Sequence, residues 1–336
     1  MTGLLLDAGH ARAIEVTGAD RLNHLDATTT QSLKDARPGV ATSALVLDAH
    51  GNPLAMFDVY VLPDRVWLVT PSEDVAAVVM DRIAGRTFLA DATFVPLTHR
   101  VVRAAVSPSQ ARSAWSGTAV VPDTGTVRST PSGDTVIAAP SDGSFTLVGP
   151  ADEVERLCDA LRTAGAVDAD AVTSAAWRVD AAVPAWGSEV VPPHLPEEAG
   201  VLPTHVHLAK GCYPGQEAVA RMWMLGRPRR RLARVRLTGD ATALAAVTPG
   251  WRTGDGRDAV EVTTVGPLTD GGRFALAFVP GASSVGTSIT ATRSTPSEPS
   301  EDDLAVEVLA LVGDDPTPPG HDPAMRRRRD RTADAR

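Results

Sequence analysis

The sequence predicts an α+β protein whose C-terminal part is all β. Three observations carry this. Residues 41–70 alternate as a β-meander, with "ATSALVLDA", "LAMFDVYVL" and "RVWLVT" separated by the turn-forming "HGNP" and "LPD". Helical periodicity takes over in "PSEDVAAVVMDRIAG" and again in "ADEVERLCDALRTAG". From 229 onward, "RRRLARVRLTG", "AVEVTTVGPL", "GRFALAFVP" and "TSITATRS" are short alternating segments with Gly/Pro turns at close spacing, the pattern of a small β-barrel or sandwich.

Taken in order, "IEVT" at 14–17 predicts a short strand. "GADRLNHLDATTTQSLKD" opens a helix with Asp20 in its first turn, where a carboxylate suits the dipole, and with Leu22 and Leu25 on one face. In the next helix Ser72 is the N-cap, Val75, Val78, Val79 and Ile83 form the apolar face, and Gly85 is the C′ residue. "ATFVPLTHRVVRAAV" returns to strand. Residues 107–144, rich in Ser, Thr, Gly and Pro, predict a variable edge or a second small sheet with pieces such as "DTVIAAP". "SFTLVGP" is a strand, and the helix after it sets Val154, Leu157, Cys158 and Leu161 on one buried face. The run at 304–312 reads equally as a last strand or a helix. Residues 294–303 and 312–336, rich in Ser, Pro, Asp and Arg, predict disorder.

At 336 residues the chain is long enough for two or three cores. With 43% hydrophobic and 22% charged residues it has a soluble globular composition. A formal charge of −9 removes any general pull toward nucleic acid or anionic membrane. Two cysteines make no disulfide framework and no metal-ligand spacing, and suit a reducing cytosol. The N-terminus lacks the basic segment of a signal peptide, and no apolar run approaches the ~18–20 residues of a membrane span. These features predict a cytoplasmic protein without a metal, a membrane anchor or a directly bound nucleic acid.

The stretch "KGCYPGQE" at 210–217 stands apart. It holds one of two lysines, one of two cysteines, one of two tyrosines and one of three glutamines in the chain. "PGQEAVARM" reads as a helix start, with Pro214 near the first turn and Gln216 and Glu217 where acceptors and anions are favoured. Cys212 then sits just before a helix N-terminus and two positions from Lys210, a setting that lowers a thiol's pKa. Gly211 and Gly215 permit positive φ or close approach to a ligand. The competing reading makes Cys212 a buried loop thiol and pairs Lys210 with a carboxylate.

With Arg221 four positions on, this stretch resembles the K-G-C-[aromatic]-x-G-Q-E-x-x-x-R signature of the YgfZ-type folate-binding proteins, relatives of the glycine-cleavage T-protein. "IEVTGADRLNHL", "WRVDAAVPAWGSE", "LPEEAGVL" and "GRPRRRLARVRL" are similar to other segments of that family, so the resemblance spans roughly 10–295. It implies a clover-leaf of lobes around a central hole. Residues 1–225 would form a T-protein-like folate-binding region of two α+β lobes divided near 105, residues 226–295 a C-terminal β-barrel, and residues 296–336 a largely disordered tail. It also implies tetrahydrofolate or a related reduced folate as ligand, support of iron–sulfur enzymes and thereby of tRNA modification, and Cys212 as the working thiol.

On this resemblance Asp180 stands where T-protein relatives carry a glutamate that reads the two adjacent N–H donors of a pterin edge, one methylene shorter here. Arg178, Arg221 and Arg227 are candidates for the anionic glutamyl tail. Trp177, Trp186, Tyr213 and Trp223 are candidates for an aromatic wall. The relatives' one-carbon transfer uses a carboxylate in a "G-G-x-x-D-D" strand. Counted from Gly51, its two acidic positions fall on Ala55 and Met56, and Asp58 lies two residues beyond, about 7 Å along the strand. That favours an accessory protein over an enzyme. An aminomethyltransferase-like enzyme with another base is the first alternative. An RNA-binding module using arginines 227–236 is the second, although Arg234 and Arg236 alternate with Ala233 and Val235 as on a solvated strand face.

Overall fold

The computed structural model describes residues 3–7, 9–225, 228–253, 259–291 and 304–313. The chain divides into two compact units. The first comprises Met1–Asp48, Leu54–Asp170 and Thr204–Pro214; the second comprises Ala49–Pro53, Ala171–Pro203 and Gly215–Arg336.

Most elements of the first unit follow the apolar patterning. They are β1 (Leu4–Asp7), β2 (Arg12–Thr17), α1 (Arg21–Thr28), β3 (Ala41–Leu47), β4 (Pro53–Val61), β5 (Val66–Thr70), α2 (Glu73–Arg82), β6 (Thr93–Leu97), β7 (Arg100–Ala105), α3 (Pro108–Ala114), β8 (Thr126–Ser129), β9 (Val136–Ala139), β10 (Phe145–Gly149), α4 (Ala151–Thr163) and β11 (Val167–Ala169). The meander β3-β4-β5 continues through β2 to β6 as one five-stranded sheet. The remaining strands form a six-stranded sheet in the order β11-β1-β7-β10-β9-β8.

The two sheets pack face to face. Ala13, Tyr60, Trp67 and Val69 from one meet Val101, Val136, Ala138 and Val148 from the other. One residue along each strand, Val102, Ile137 and Leu147 point to the opposite face and bury Trp115 and the apolar stripe of α4. This period-2 division explains why "VIAA" and "FTLVG" are buried at every position. Position 105, where the resemblance divides two lobes, is the end of β7 inside this unit.

Ser72 caps α2 by accepting from the Val75 amide, as its spacing predicts. Gly85 is not the C′ residue: the helix gives way to a 3₁₀ turn at Ala84–Arg86 that contains it. Helix α3 lies in the segment read as a variable edge or a second small sheet. Ser107 caps it and Pro108 occupies its first turn.

The second unit contains α5 (Ala171–Ala181), the start of α6 (Leu202–His205), α7 (Gln216–Leu225), β12 (Arg230–Thr238), α8 (Ala241–Ala245), β13 (Glu261–Thr269), β14 (Gly272–Pro280), β15 (Ser288–Ala291) and β16 (Leu304–Leu311). The ambiguous run at 304–312 is thus strand β16. It lies within the stretch assigned to the tail and pairs antiparallel with both β12 and β15. The flanking segments 294–303 and 314–336, expected to be disordered, lie outside the described residues.

Among the described residues the C-terminal strands form an open antiparallel sheet, β13-β14-β12-β16-β15, in place of the expected closed barrel. Other elements cover both of its faces, which removes the need for closure. Ala233, Val235, Ala275, Ala277 and Val306 pack with Leu244, Val247 and Trp251 on one side. Helix α5 lies against β13 and β14 on the other.

Candidate functional site

Loop and helix meet in "KGCYPGQE" where the sequence places them. Pro214 and Gly215 form a turn, Gly215 at φ 81°, and α7 starts at Gln216. A side chain at Gly215 would be strained in this left-handed conformation. Cys212 is exposed, so the buried-loop reading does not hold. Tyr213 is buried, and its burial pushes the phenol up to about 12.

Lys210 turns its side chain inward. Its side chain is 1% exposed, and its ammonium donates to three main-chain carbonyls: Asp26 O, Thr29 O at 2.8 Å and Gln31 O at 2.8 Å. An ammonium has three donors, so the cage uses all of them. The acceptors belong to the last turn of α1 and the residues after it, where a helix leaves carbonyls unpaired and its dipole favours a cation. Burial pulls the ammonium down to about 8, opposed by the Asp26 carboxylate 3.9 Å away. The Tyr213 ring centroid lies 5.2 Å from Nζ.

Glu217 and Arg221 form an exposed i, i+4 pair at 3.2 Å on α7, which leaves Arg221 oriented along its own helix. Gln216 and Trp223 are half-buried on the same helix. Arg227 lies outside the described residues.

Asp180 and Arg178 both lie in the last turn of α5. The Asp180 carboxylate is half exposed, and its Oδ1 accepts from Arg234 Nη2 at 2.7 Å. Oδ2 remains for another donor. Arg178, expected to meet an anionic tail, is instead committed inward to Glu189, a fully buried carboxylate. Glu189 also accepts from Thr264 Oγ1 at 2.6 Å and from the Ala185 amide at 2.9 Å. Arg178 Nε donates to Val183 O at 3.2 Å. These bonds satisfy both ions and hold the segment after α5 against β13. Glu189 closes the family-like segment "WRVDAAVPAWGSE", but nothing in that pattern marks it as the partner of Arg178. Trp177 and Trp186 are half-buried in this region of the second unit.

On β4, Ala55 is fully buried and Met56 half-buried, so neither transferase position carries an acid. Asp58 accepts from Ser43 Oγ at 2.7 Å, Tyr60 OH at 3.1 Å and Arg103 Nη2 at 3.4 Å. Burial raises its pKa, against the pull of Arg103 and Ser43. Arg103 also meets Asp142 at 3.1 Å, so this group is a closed network between the two sheets of the first unit.

Three of the four arginines of β12 form ion pairs. Arg230 pairs with Glu261, Arg234 with Asp180, and Arg236 with Glu307. Among the described residues no group of three or more His, Cys, Asp or Glu side chains is placed to hold a metal, and no helix is long and apolar enough to cross a membrane. An apolar hollow of ≈ 190 Å³, open to solvent, is lined by Leu195, Pro196, Glu197, Val219 and Met222, none of them a residue singled out above.

Among solved structures, the chain is similar to aminomethyltransferase T of the glycine cleavage system from Bartonella henselae, with a TM-score of 0.74 over 93% of this chain and 86% of that one. The fold is that of a glycine cleavage T-protein. Sequence identity to that protein is 17%, so the likeness concerns the fold. Heterotetrameric sarcosine oxidase from Corynebacterium sp. U-96, solved with pyrrole 2-carboxylate, aligns with 49% of this chain and 87% of its own at a TM-score of 0.35 and 14% identity. No protein-family profile and no curated protein matches the sequence.

Proposed function

We propose that this protein binds a reduced folate on a T-protein fold and works through the exposed thiol of Cys212, without catalysing aminomethyl transfer. The observation that carries this reading is the form taken by "KGCYPGQE": a loop anchored by a buried lysine that leaves its cysteine exposed immediately before a helix. The resemblance of that stretch to the YgfZ-type signature agrees with the fold, and implies a clover-leaf arrangement and a role in maintaining iron–sulfur enzymes and, through them, tRNA modification.

The residues present fit a pterin in one respect. Asp180 offers a half-exposed carboxylate whose Oδ1 is steadied by Arg234, leaving Oδ2 to accept from an amino-pyrimidine edge. The half-buried Trp177 and Trp186 supply apolar surface in the same unit. Folate bound there would supply a one-carbon carrier; Asp180 and Arg234 would hold it.

The absence of an acid at Ala55 and Met56 argues against a transferase, since the reaction needs a group to accept a proton or orient an amine. Asp58 does not substitute, because its carboxylate is engaged by Ser43, Tyr60 and Arg103. The paired arginines of β12 likewise argue against an RNA-binding surface.

Calorimetry with tetrahydrofolate and its one-carbon derivatives tests the reading. The native protein is expected to bind at least one of them, and Asp180→Ala to bind at least tenfold more weakly. Cys212→Ala is expected to retain binding and to lose support of iron–sulfur enzyme activity in cells. Failure of the native protein to bind any reduced folate would overturn the proposal.

A further inference from the structure

The loop that carries Cys212 is attached to the rest of its unit in an unusual way. At its start, residues 204–207 are tied to the turn after α1 by several bonds: His207 N to Thr30 O at 2.9 Å, Thr30 Oγ1 to His205 O at 2.6 Å and Gln31 Nε2 to Thr204 O at 3.3 Å. Beyond His207 the attachment changes. Among the described residues, Lys210 is the one residue of 208–213 hydrogen-bonded to that turn, and it is bonded through its side chain.

We propose that Lys210 is the positioning residue for Cys212: its buried ammonium, held by the carbonyls of Asp26, Thr29 and Gln31, fixes the thiol loop against the end of α1. This deepens the folate reading and rests on it only for the statement that the thiol is the working group. The cage is specific for an ammonium. Three carbonyls converge on one point, which suits a compact head with three rotatable donors; a planar guanidinium cannot direct its donors to them from one atom. A chain that places arginine at 30 of its 32 Lys and Arg positions therefore has a reason to keep a lysine here.

The test is a nitroxide spin label on Cys212. Cys158 is buried and its thiol is pushed up to about 11, so labelling of the native protein is confined to Cys212. The native protein is expected to give a restricted line shape. Lys210→Met and Lys210→Arg, each confirmed as folded by circular dichroism, are expected to give a mobile one, with the rotational correlation time at least halved. A general loss of stability would lower the unfolding midpoint without altering the line shape of the folded protein. An unchanged line shape in folded Lys210→Met would overturn the inference.

Should the variants not fold, the labelled native protein supplies the measurement. Slow acetylation of Lys210, followed by mass spectrometry, is expected to release the label in step with modification. Full acetylation with a fixed line shape would overturn the proposal. Folate calorimetry on the same samples separates the two readings. A native protein that binds no reduced folate ends the folate proposal but leaves the clamp standing, whereas an unchanged line shape does the reverse.

Discussion

Lys210 and Glu189 are both fully buried ions, and each is rendered tolerable by a different partner set. The ammonium is solvated by main-chain carbonyls, whereas the carboxylate is solvated by a guanidinium, a hydroxyl and an amide. Removing charge from one member of a buried pair leaves the other uncompensated, which is the costly case. Glu189→Gln is accordingly expected to destabilise the protein by about 3 kcal/mol, measured by urea denaturation. An effect below about 1 kcal/mol would show that Arg178 finds another acceptor. Neither arrangement was legible in the sequence. The composition marked Lys210 as special, but its acceptors lie some 180 positions earlier in the chain. Main-chain carbonyls leave no trace in residue identity. Arg178 was read as a ligand contact because its partner Glu189, eleven positions later in the same segment, is brought to it only by the turn after α5.

Individual elements were readable wherever one periodicity held without interruption. Helix α4 buries Val154, Leu157, Cys158 and Leu161 as their spacing requires. Helix α3 escaped because seven residues are too few for a period to show, although its Ser107-Pro108 start is a recognisable helix signal. Strand β16 was ambiguous over a short apolar run. Its alternating burial, with Leu304, Val306 and Val308 inward, settles it as a strand. The barrel expectation meets an open sheet among the described residues: alternation specifies a strand but not whether the sheet closes.

The end of α5 carries a strain that the sequence could not show. Ala182 has φ 54°, the left-handed conformation that ends many helices and usually belongs to glycine. Val183 N returns to Arg178 O at 2.9 Å across it. Ala182→Gly removes the clash between Cβ and the backbone, partly offset by greater freedom of the unfolded chain. It is expected to raise stability by roughly 0.5–1 kcal/mol, seen as an increased urea midpoint at constant m. A decrease would mean that the Ala182 methyl packs more favourably than its backbone conformation costs.

For the molecule as a whole, acid sensitivity has an identifiable contributor. Burial pushes the Glu153 carboxyl up, but donated hydrogen bonds from Ser132, Thr135 and Thr130 outweigh this and hold it below the ordinary value of 4.5. A carboxyl with a depressed folded-state pKa contributes stability that is complete above its unfolded pKa and lost as pH falls through the folded one. Glu153→Gln should therefore flatten the decline of stability between about pH 5 and pH 3. Urea midpoints across that range check this; a parallel decline in the variant would assign acid lability elsewhere.

The path of the polypeptide between the two compact units has a practical consequence. The chain passes from one to the other at 48/49, 53/54, 170/171, 203/204 and 214/215, so neither unit is a contiguous stretch of gene. A fragment ending at residue 170 would contain both sheets of the first unit yet lack the strip 204–214, and with it the lysine that seals the end of α1 and the exposed cysteine. Dissection by truncation would thus remove the thiol from the unit to which it belongs. Splitting the protein for expression requires returning that strip as an added peptide or a permuted chain.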